Sequence, residues 1–467
     1  MGWPIITTVL ISSMSAPHTA HTIGTRQIFE TWWPLAGSWM LMGIELPLVS
    51  VVMGRLADPE IHLAAYGGIV FPLSLLIEAP IIMMLAASTA LSQNWQAYRL
   101  LRRFMIQAAT CLTGLHILIA FTPLYDILVI DMLGVPSDII APGRDGLQLM
   151  TPWTAAIALR RFQQGVLIRF GKSRVVASGT AVRLITHISA LTTGYMIGTL
   201  PGIIVATSAM VAGVIAEAIL INRFVQPILR QMPHTALPQH TPLTIKTLTQ
   251  FYAPLALTPM LNLMVLPLAS AALSRMPMAV ESLAVLPVLM GLSFTIRSMG
   301  LAFHEVVLTY LDQPDVIPSL QQFARFLAIG TSSLLFTITA TPLSHIWFST
   351  VAGLSPPLTT LGENALWLVV FLPALTVMES WYQGLLVHSH MTRAVTKSVF
   401  VYLVVTTSVL LTGVVSGLSP GLYVSVSATF LGFLMQTIWL HRHSQPILDR
   451  LTVSRAQPEK TMPRTGP

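Results

Sequence analysis

Ten ionisable side chains stand inside long apolar stretches of this sequence, and their types suit charge recognition or ion binding. Placing a charged side chain at the centre of a membrane costs roughly 2.5–3.5 kcal/mol on insertion scales, so such groups are rare and mark functional sites by default. The acids and arginines nearly balance, which indicates paired charges around a hydrated cavity rather than a pore of one sign. The ten residues are Glu45, Glu78, Arg160, Arg161, Arg183, Glu217, Arg297, His304, Glu305 and Glu379.

Arg160 and Arg161 are neighbours in the stretch ALRRFQQGVLIRFGKSR at 158–174. Adjacent residues on a helix point in different directions, so the two guanidinium groups can have different roles. One interpretation places at least one of them in a central cavity. In the other, both side chains extend along apolar surface to the nearby cytoplasmic end of the helix.

The sequence motifs indicate neither a catalytic site nor a metal site. His304-Glu305 resembles the start of a zincin motif, but the second histidine would fall at Leu308 and is absent. His388 and His390 are expected at a helix end in the membrane interface. There is no Walker A motif and no nucleophile constellation, so we expect neither an enzyme nor an ATP-driven pump. No metal or cofactor is expected beyond H⁺ or Na⁺ as a coupling ion.

The composition requires a membrane to surround these charges. The 467 residues are 54% hydrophobic and only 9% charged, whereas a soluble domain carries about 25% charged residues. Apolar runs of roughly 20 residues predict a helical bundle rather than a barrel of short alternating strands. The net charge of +7 comes from basic loops between apolar runs, so we expect a lipid bilayer and no nucleic acid as partner. The single Cys111 can form no internal disulfide.

Twelve transmembrane helices are predicted, and most Lys and Arg residues fall in alternate loops between them. By the positive-inside rule this places both termini in the cytoplasm, with a bacterial inner membrane as the expected location. The fold class is therefore an all-α polytopic membrane protein. The spans lie near 29–53, 63–91, 104–126, 147–168, 176–198, 200–222, 250–273, 281–308, 324–348, 364–388, 398–418 and 420–440.

The sequence repeats itself at an offset of 219–220 residues. WWPLA at 32–36 matches YAPLA at 252–256, QQGVLI at 163–168 matches YQGLLV at 382–387, and QPIL recurs at 226–229 and 445–448. The constant offset predicts two six-helix lobes in parallel orientation, an arrangement that holds substrate between the lobes. The predicted segments are an extension at 1–28, an N-lobe at 29–230, a cytoplasmic linker at 231–247, a C-lobe at 248–450 and a disordered cytoplasmic tail at 451–467.

The repeat also pairs charges of opposite sign. Arg160 corresponds to Glu379, and Glu78 corresponds to Arg297, so each pair could form across the pseudo-twofold axis in one access state and break in the other. Pro47 corresponds to Pro267, and a proline inside a span frees a backbone carbonyl and bends the helix. We therefore expect broken helices at both prolines.

Glu45 lies just before the expected bend at Pro47. A carboxyl group whose solvation changes between access states suits a proton or sodium site. The other interpretation is a carboxylate whose hydrogen bonds come from a neighbouring helix.

The opening segment WWPLAGSWMLMGIELPLVSVVMGRLADPEIHLAAYGGIV resembles the MATE and lipid-flippase (MOP) superfamily, with its GRL turn followed by LAAYG. Within that superfamily the chain is most similar to the progressive ankylosis (ANK) family. That resemblance rests on TWWPLA at 31–36, FYAPLAL at 251–257, the stretch at 281–312 and FLPALTVMESWYQGLLV at 371–387. Where MATE antiporters usually carry an acid close to the GRL turn, this chain has Val49, so Glu45 would have to serve instead.

The resemblance implies a MATE-like V-shaped bundle that works by alternating access and exports a small organic or phosphate-containing anion, with arginines as counter-charges. Two alternatives stay open: a cation or drug antiporter driven by H⁺ or Na⁺ that uses the acids, and a flippase for a polyprenyl-linked saccharide. We expect a monomer with a small-molecule substrate.

Overall fold

The computed structural model describes residues 24–232, 243–313, 315–389 and 391–456. We call residues 24–232 the N-half and residues 243–456 the C-half. The predicted extension, linker and tail fall largely outside the described residues. The N-half helices are α1 (Thr25–Gly43), α2 (Glu45–Met53), α3 (Pro59–Ala65), α4 (Phe71–Ile82), α5 (Met84–Leu91), α6 (Trp95–Phe121), α7 (Leu124–Asp126), α8 (Ile140–Leu149), α9 (Thr151–Arg169), α10 (Ser173–Ile197) and α11 (Gly202–Gln231).

The C-half repeats this order of helices, with one long helix, Ala279–Tyr310, in place of α3, α4 and α5. Its last helix continues to Ala456, into the segment that the sequence predicts as a disordered tail. The C-half helices are α12 (Ile245–Leu263), α13 (Val265–Leu273), α14 (Ala279–Tyr310), α15 (Val316–Ala340), α16 (Leu343–His345), α17 (Pro356–Leu366), α18 (Leu372–His388), α19 (Thr392–Ser416) and α20 (Gly421–Ala456).

Eleven helices within the described residues are long and apolar enough to cross a membrane. The prediction of an all-helical membrane protein is therefore confirmed, and eleven of the twelve predicted spans are found. The exception is the span predicted at 147–168, which is the helix α9. It is helical over 19 residues, but four polar side chains within five positions, Arg160, Arg161, Gln163 and Gln164, make it less apolar than the other eleven.

Both prolines predicted to break a helix follow an interruption in the helix. One helix ends at Gly43 and the next begins at Glu45, while in the C-half the break falls at Met264, three residues before Pro267. Because Pro47 has no backbone N–H, the carbonyl of Gly43 has no partner four residues ahead. The hydroxyl of Thr295 on the C-half helix α14 lies 3.3 Å from that carbonyl and 2.9 Å from the carbonyl of Gly291, so its one proton is shared between the broken point and its own helix.

The backbone itself repeats between the two halves. Gly134 and Gly353 have φ angles of 66° and 70°, and Gly198 and Gly417 have φ angles of 69° and 59°. Each pair is separated by 219 residues. A π-helix precedes Gly134 in the N-half, at Ile127–Leu133, and Gly353 in the C-half, at Ile346–Val351. The offset found in the sequence is therefore an offset in local conformation as well.

The first helix of each half packs on the other half. The side chains of Ile28, Trp32 and Ala36 on α1 join a buried cluster made of C-half residues, and the Trp32 indole donates to Met299 O at 2.9 Å. In the same way Tyr252 on α12 contacts the N-half, where its ring lies edge-on to Phe104 at 5.1 Å. The halves are therefore interlocked at the end of the bundle where α1 and α12 begin.

At the opposite end, two arginines join the halves. Arg55 donates to the carbonyls of Val351 and Thr350, both at 2.6 Å. Arg275, its equivalent, donates to the carbonyls of Leu133 at 2.6 Å and Met132 at 2.9 Å. In both cases the acceptors are the last carbonyls of a π-helix on the other half. We call these contacts the two arginine clamps and this end the Arg55 end.

Close backbone packing accompanies the clamps. Gly54 lies so near the other half that an added Cβ would stand 1.8 Å from the carbonyl oxygen of Ala352. Gly353, with φ +70°, approaches the carbonyl of Gly54 in turn. The halves are therefore in direct contact at the Arg55 end, and this end of the bundle is closed.

Candidate functional site

Six of the predicted site residues gather inside the N-half. Five of them line a cavity of about 140 Å³ together with Trp153, Ile157, His187, Met210 and Val214. The sixth, Glu217, is fully buried and contacts the arginines that line the cavity. We call the six the N-half charge cluster; they are Glu45, Glu78, Arg160, Arg161, Arg183 and Glu217.

Helix packing brings these side chains to one place. Gly165 on α9 approaches α5 so closely that an added Cβ would lie 1.8 Å from the Ser88 hydroxyl oxygen. An added Cβ on Gly213 of α11 would likewise lie 3.0 Å from the carbonyl oxygen of Arg183. Small residues at helix contacts let polar groups on neighbouring helices reach one another. The helix break places Glu45 at the first position of α2.

Glu217 holds two of the arginines. Arg160 Nη1 lies 2.6 Å from Glu217 Oε2, and Arg183 Nε lies 3.6 Å from the same oxygen. The Gln164 side-chain amide donates to the other oxygen at 2.9 Å. Because a buried carboxylate needs both charge and hydrogen-bond compensation, these contacts fix Arg160 as a structural partner of Glu217.

Arg183 also reaches the broken helix. Its Nε lies 3.0 Å from Glu45 Oε1, which joins α10 to the start of α2. Both side chains are mostly buried, at 10% and 16% exposure. A displacement of α2 at the break would therefore change the partner of Arg183.

The remaining two members of the cluster are less well compensated. Within the described residues Arg161 forms no ion pair or hydrogen bond, and its buried Nε has no partner. Glu78 Oε2 is also buried without a partner. Four further nitrogens around the cavity and one further carboxylate oxygen make no hydrogen bond: Trp153 Nε1, Arg160 Nε, Arg183 Nε, His187 Nε2 and Glu45 Oε1. Nitrogen atoms without a partner thus outnumber such carboxylate oxygens, which favours an electron-rich ligand.

The C-half charges form a separate group. The Arg297 guanidinium donates to Thr376 Oγ1 at 2.8 Å and lies 4.3 Å above the ring of Phe433. Glu379 accepts hydrogen bonds from the amides of Gln383 at 2.7 Å and Gln436 at 2.8 Å. The expected inter-lobe pairs Arg160–Glu379 and Glu78–Arg297 are therefore not formed in this structure.

Glu305 and His304 lie apart from both groups. The Glu305 carboxylate accepts a hydrogen bond from the Trp39 indole at 3.1 Å, and the His304 ring lies 3.4 Å from Ser380 O. Among the described residues no group of three metal-ligating side chains occurs. The structure thus brings together six of the nine predicted cavity charges and leaves Arg297, Glu305 and Glu379 outside that cavity.

The two halves share a polar triad whose charge is reversed. In the N-half, Arg160 and Gln164 both bind the carboxylate of Glu217. At the equivalent positions the C-half has Glu379, Gln383 and Gln436, and here the carboxylate of the first residue accepts from the other two. The same helix geometry thus carries a buried arginine in one half and a buried glutamate in the other.

Three residues of the site with hydrogen-bonding side chains are absent from the sequence-based prediction. Gln164 and His187 each lie four residues after a predicted arginine on the same helix, Arg160 and Arg183 respectively. Because residues four apart share a helix face, that spacing is a signal that identifies both. Trp153 gives no such signal, since an aromatic residue in an apolar helix is most often part of the core.

Several solved structures share this fold. The inward-facing conformation of a multidrug resistance MATE family transporter matches with a TM-score of 0.64 and 13% identity, over 89% of this chain and 99% of that one. The inward closed conformation of the lipid II flippase MurJ matches with a TM-score of 0.65 and 13% identity, over 92% and 94%.

A third structure is a MOP superfamily transporter from Pyrococcus furiosus, in which a binding pocket of reverse polarity suggests a different function. It matches with a TM-score of 0.60 and 12% identity, over 97% of this chain and 99% of that one. At these identities the likeness establishes the fold, and the predicted MATE-like fold is confirmed.

No protein-family model matches the chain, and no curated protein matches its sequence. The comparisons therefore support the MOP-superfamily fold and give no support to the ANK family specifically.

Proposed function

We propose that this protein is a secondary transporter of a small organic or phosphate-containing anion, with the N-half cavity as part of its substrate site. The observation that carries the proposal is the excess of nitrogen atoms without partners around that cavity. Arg161 provides a guanidinium that no carboxylate neutralises within hydrogen-bonding distance. An anion that enters would supply the missing acceptors, and charge-assisted hydrogen bonds to it are strong in a buried site.

Alternating access is the mechanism that the architecture favours. Substrates of duplicated transporters bind at the interface between repeats, and one half rocks against the other. The arginine clamps close the Arg55 end, and a transport cycle requires this contact to break. With α9 counted as the fourth span, the described residues have twelve spans, and the expected orientation, with both termini in the cytoplasm, places the Arg55 end outside. An export cycle would then release substrate through opening of the Arg55 end.

The breaks before Pro47 and Pro267 are the proposed hinges. At the first break, Glu45 binds Arg183, so a bend at this point and a change of ion pairing are coupled. Substrate or a coupling proton that competes for Arg183 or Glu45 would thus alter the position of α2. This connects the cavity to a movable element without requiring the predicted inter-lobe pairs.

Transport into proteoliposomes tests the proposal. Citrate and pyrophosphate uptake are compared with uptake of a cationic dye in the wild type and in Arg161→Gln and Glu305→Gln variants. We expect Arg161→Gln to lower anion transport at least ten-fold, since one charged hydrogen bond in a buried site contributes about 1.5–3 kcal/mol. Glu305→Gln is the control, because Glu305 lies outside the cavity. Dye transport without anion transport would contradict the proposal.

A second candidate is a cation antiporter driven by H⁺ or Na⁺. The specific observation in its favour is Glu78, a buried carboxylate with one oxygen that has no partner. In that case the same assay gives dye transport that Glu78→Gln abolishes and Arg161→Gln preserves.

A further inference from the structure

A second and larger pocket lies in the N-half, away from the charge cluster. It has a volume of about 610 Å³ and is placed between α6, α9 and α11, where α6 begins and α11 ends. Leu159 and Gln163 line it from α9; the cluster residues Arg160 and Arg161 are rotated from Leu159 by about 100° and 200° around that helix. The pocket and the cavity therefore occupy different faces of α9. The lining residues are Trp95, Tyr98, Arg102, Leu159, Gln163, Asn222, Gln226, Leu229 and Arg230.

The lining combines cationic and amide groups. Arg102 and Arg230 form no ion pair within the described residues and are exposed. Gln163, only 3% exposed, donates through its amide nitrogen to Tyr98 Oη at 3.3 Å and to Asn222 Oδ1 at 3.4 Å. Its side-chain oxygen is buried and has no partner. A buried amide oxygen that lines a pocket and lacks a donor is a position where a ligand hydroxyl group would bind.

Larger side chains stand at the equivalent positions of the C-half. Tyr382 stands where the N-half has Gln163, and His441 stands where it has Asn222. These two side chains hydrogen-bond at 3.0 Å with ring centroids 5.2 Å apart. The charge differs too, because Gln321 and Asp449 replace Arg102 and Arg230. The lining with a buried amide and two arginines is thus specific to one half of a duplicated chain.

We propose that this pocket binds a phosphate ester that carries hydroxyl groups. Guanidinium groups match the geometry of phosphate oxygens, and Arg is the usual residue for such recognition. The amides of Gln163, Asn222 and Gln226 would bind the hydroxyl groups. Trp95 and Tyr98, which stack at 5.4 Å, would cover the carbon backbone of the ligand. A free glycerophosphate and the headgroup of an anionic phospholipid share this chemistry. The proposal is independent of the transported substrate.

Two binding measurements on the full-length protein distinguish a soluble phosphate ester from a phospholipid headgroup as the ligand. Thermal unfolding in neutral detergent is followed with glycerol 3-phosphate, with glycerol as the comparison. Native mass spectrometry then counts bound phosphatidylglycerol against phosphatidylcholine. A rise in Tm with glycerol 3-phosphate identifies a soluble ligand, whereas selective retention of phosphatidylglycerol alone identifies a lipid.

The variants decide whether this pocket is the site. We expect Arg102→Gln with Arg230→Gln to weaken binding at least ten-fold, and Gln163→Tyr with Asn222→His, which copies the C-half, to abolish it. Arg103→Gln is the matched control, since Arg103 is exposed on the same helix and does not line the pocket. If neither ligand binds, or the Arg102 and Arg230 variant binds as the Arg103 control does, the proposal is wrong. If the Gln163→Tyr, Asn222→His variant does not fold, the Arg102→Gln, Arg230→Gln variant alone tests whether this pocket is the binding site.

Discussion

The two adjacent arginines of α9 have different environments. Arg160 compensates Glu217, which is fully buried, whereas Arg161 points to the cavity without an ion-pair partner among the described residues. One residue along a helix rotates a side chain by about 100°, and this rotation separates an arginine in a hydrogen-bonded ion pair from one without such a pair. The proposed role of Arg161 in anion binding therefore depends on Arg160 having satisfied the nearby carboxylate of Glu217.

This difference predicts unequal losses of stability. We expect Arg160→Met to lower the free energy of unfolding by about 3 kcal/mol, because removal of one partner leaves a buried carboxylate uncompensated. Arg161→Met should lower it by less than Arg160→Met does, since it breaks no hydrogen-bonded ion pair and removes only the longer-range attraction to Glu78. Thermal unfolding of the two purified variants measures both. Equal destabilisation would show that Arg161 also has a structural partner.

At the scale of the helices, close contact between α9 and α5 positions the charge cluster. The contact depends on Gly165, which faces Leu85 and Ser88 without a side chain of its own. A larger residue would push α9 away from α5 and move both arginines with it. The position of the cluster is therefore set by a glycine that carries no chemistry.

Gly165→Ala is expected to destabilise the protein by about 1–3 kcal/mol, because its Cβ would stand 2.4 Å from a backbone carbonyl that cannot move aside. Gly114→Ala is the control: it lies within a helix and its Cβ would meet nothing within 4 Å. There, alanine should be neutral or stabilising by up to about 1 kcal/mol through helix propensity. Thermal unfolding compares the two, and a Gly165→Ala variant as stable as wild type would contradict the close contact.

At the scale of the whole molecule, the arginine clamps control contact between the halves. Each guanidinium binds two carbonyls of the other half, and hydrogen bonds from a charged group contribute about 1.5–3 kcal/mol each. Because the clamps are equivalent under the repeat, one should compensate partly for loss of the other. The closed Arg55 end is therefore expected to need both for full stability.

Replacing both arginines should open this end. Because three of the four clamp hydrogen bonds are exposed to solvent, each contributes only about 0.5–1 kcal/mol, and we expect Arg55→Ala with Arg275→Ala to shift the equilibrium toward separated halves by about 2–4 kcal/mol. Spin labels at Asp138→Cys and Thr360→Cys, in a Cys111→Ser background, report the distance between the halves. The double variant should give longer distances. Arg144→Ala is the control, since Arg144 binds Asp126 within the N-half. An unchanged distance distribution would show that the clamps do not hold the end closed.

The sequence by itself determined the class of fold, the duplication, the two helix breaks and the identity of the buried charges. Each follows from local physics: apolar length sets the spans, a missing proline N–H interrupts a helix, and an offset of 219–220 residues relates the halves. These features require no knowledge of which helices touch.

Only the tertiary structure decided the partners of the charges. The repeat indicates that Arg160 and Glu379 are equivalent, but equivalence under a pseudo-twofold axis does not fix their separation. The sequence therefore predicts an inter-lobe pair, whereas the structure pairs Arg160 with Glu217, 57 residues along the chain, at 2.6 Å. An ion pair forms over about 3 Å, and that distance depends on how closely helices pack at Gly165 and Gly213. Periodicity and hydropathy do not predict that distance. The sequence therefore identifies the buried charges but does not predict which of them form ion pairs.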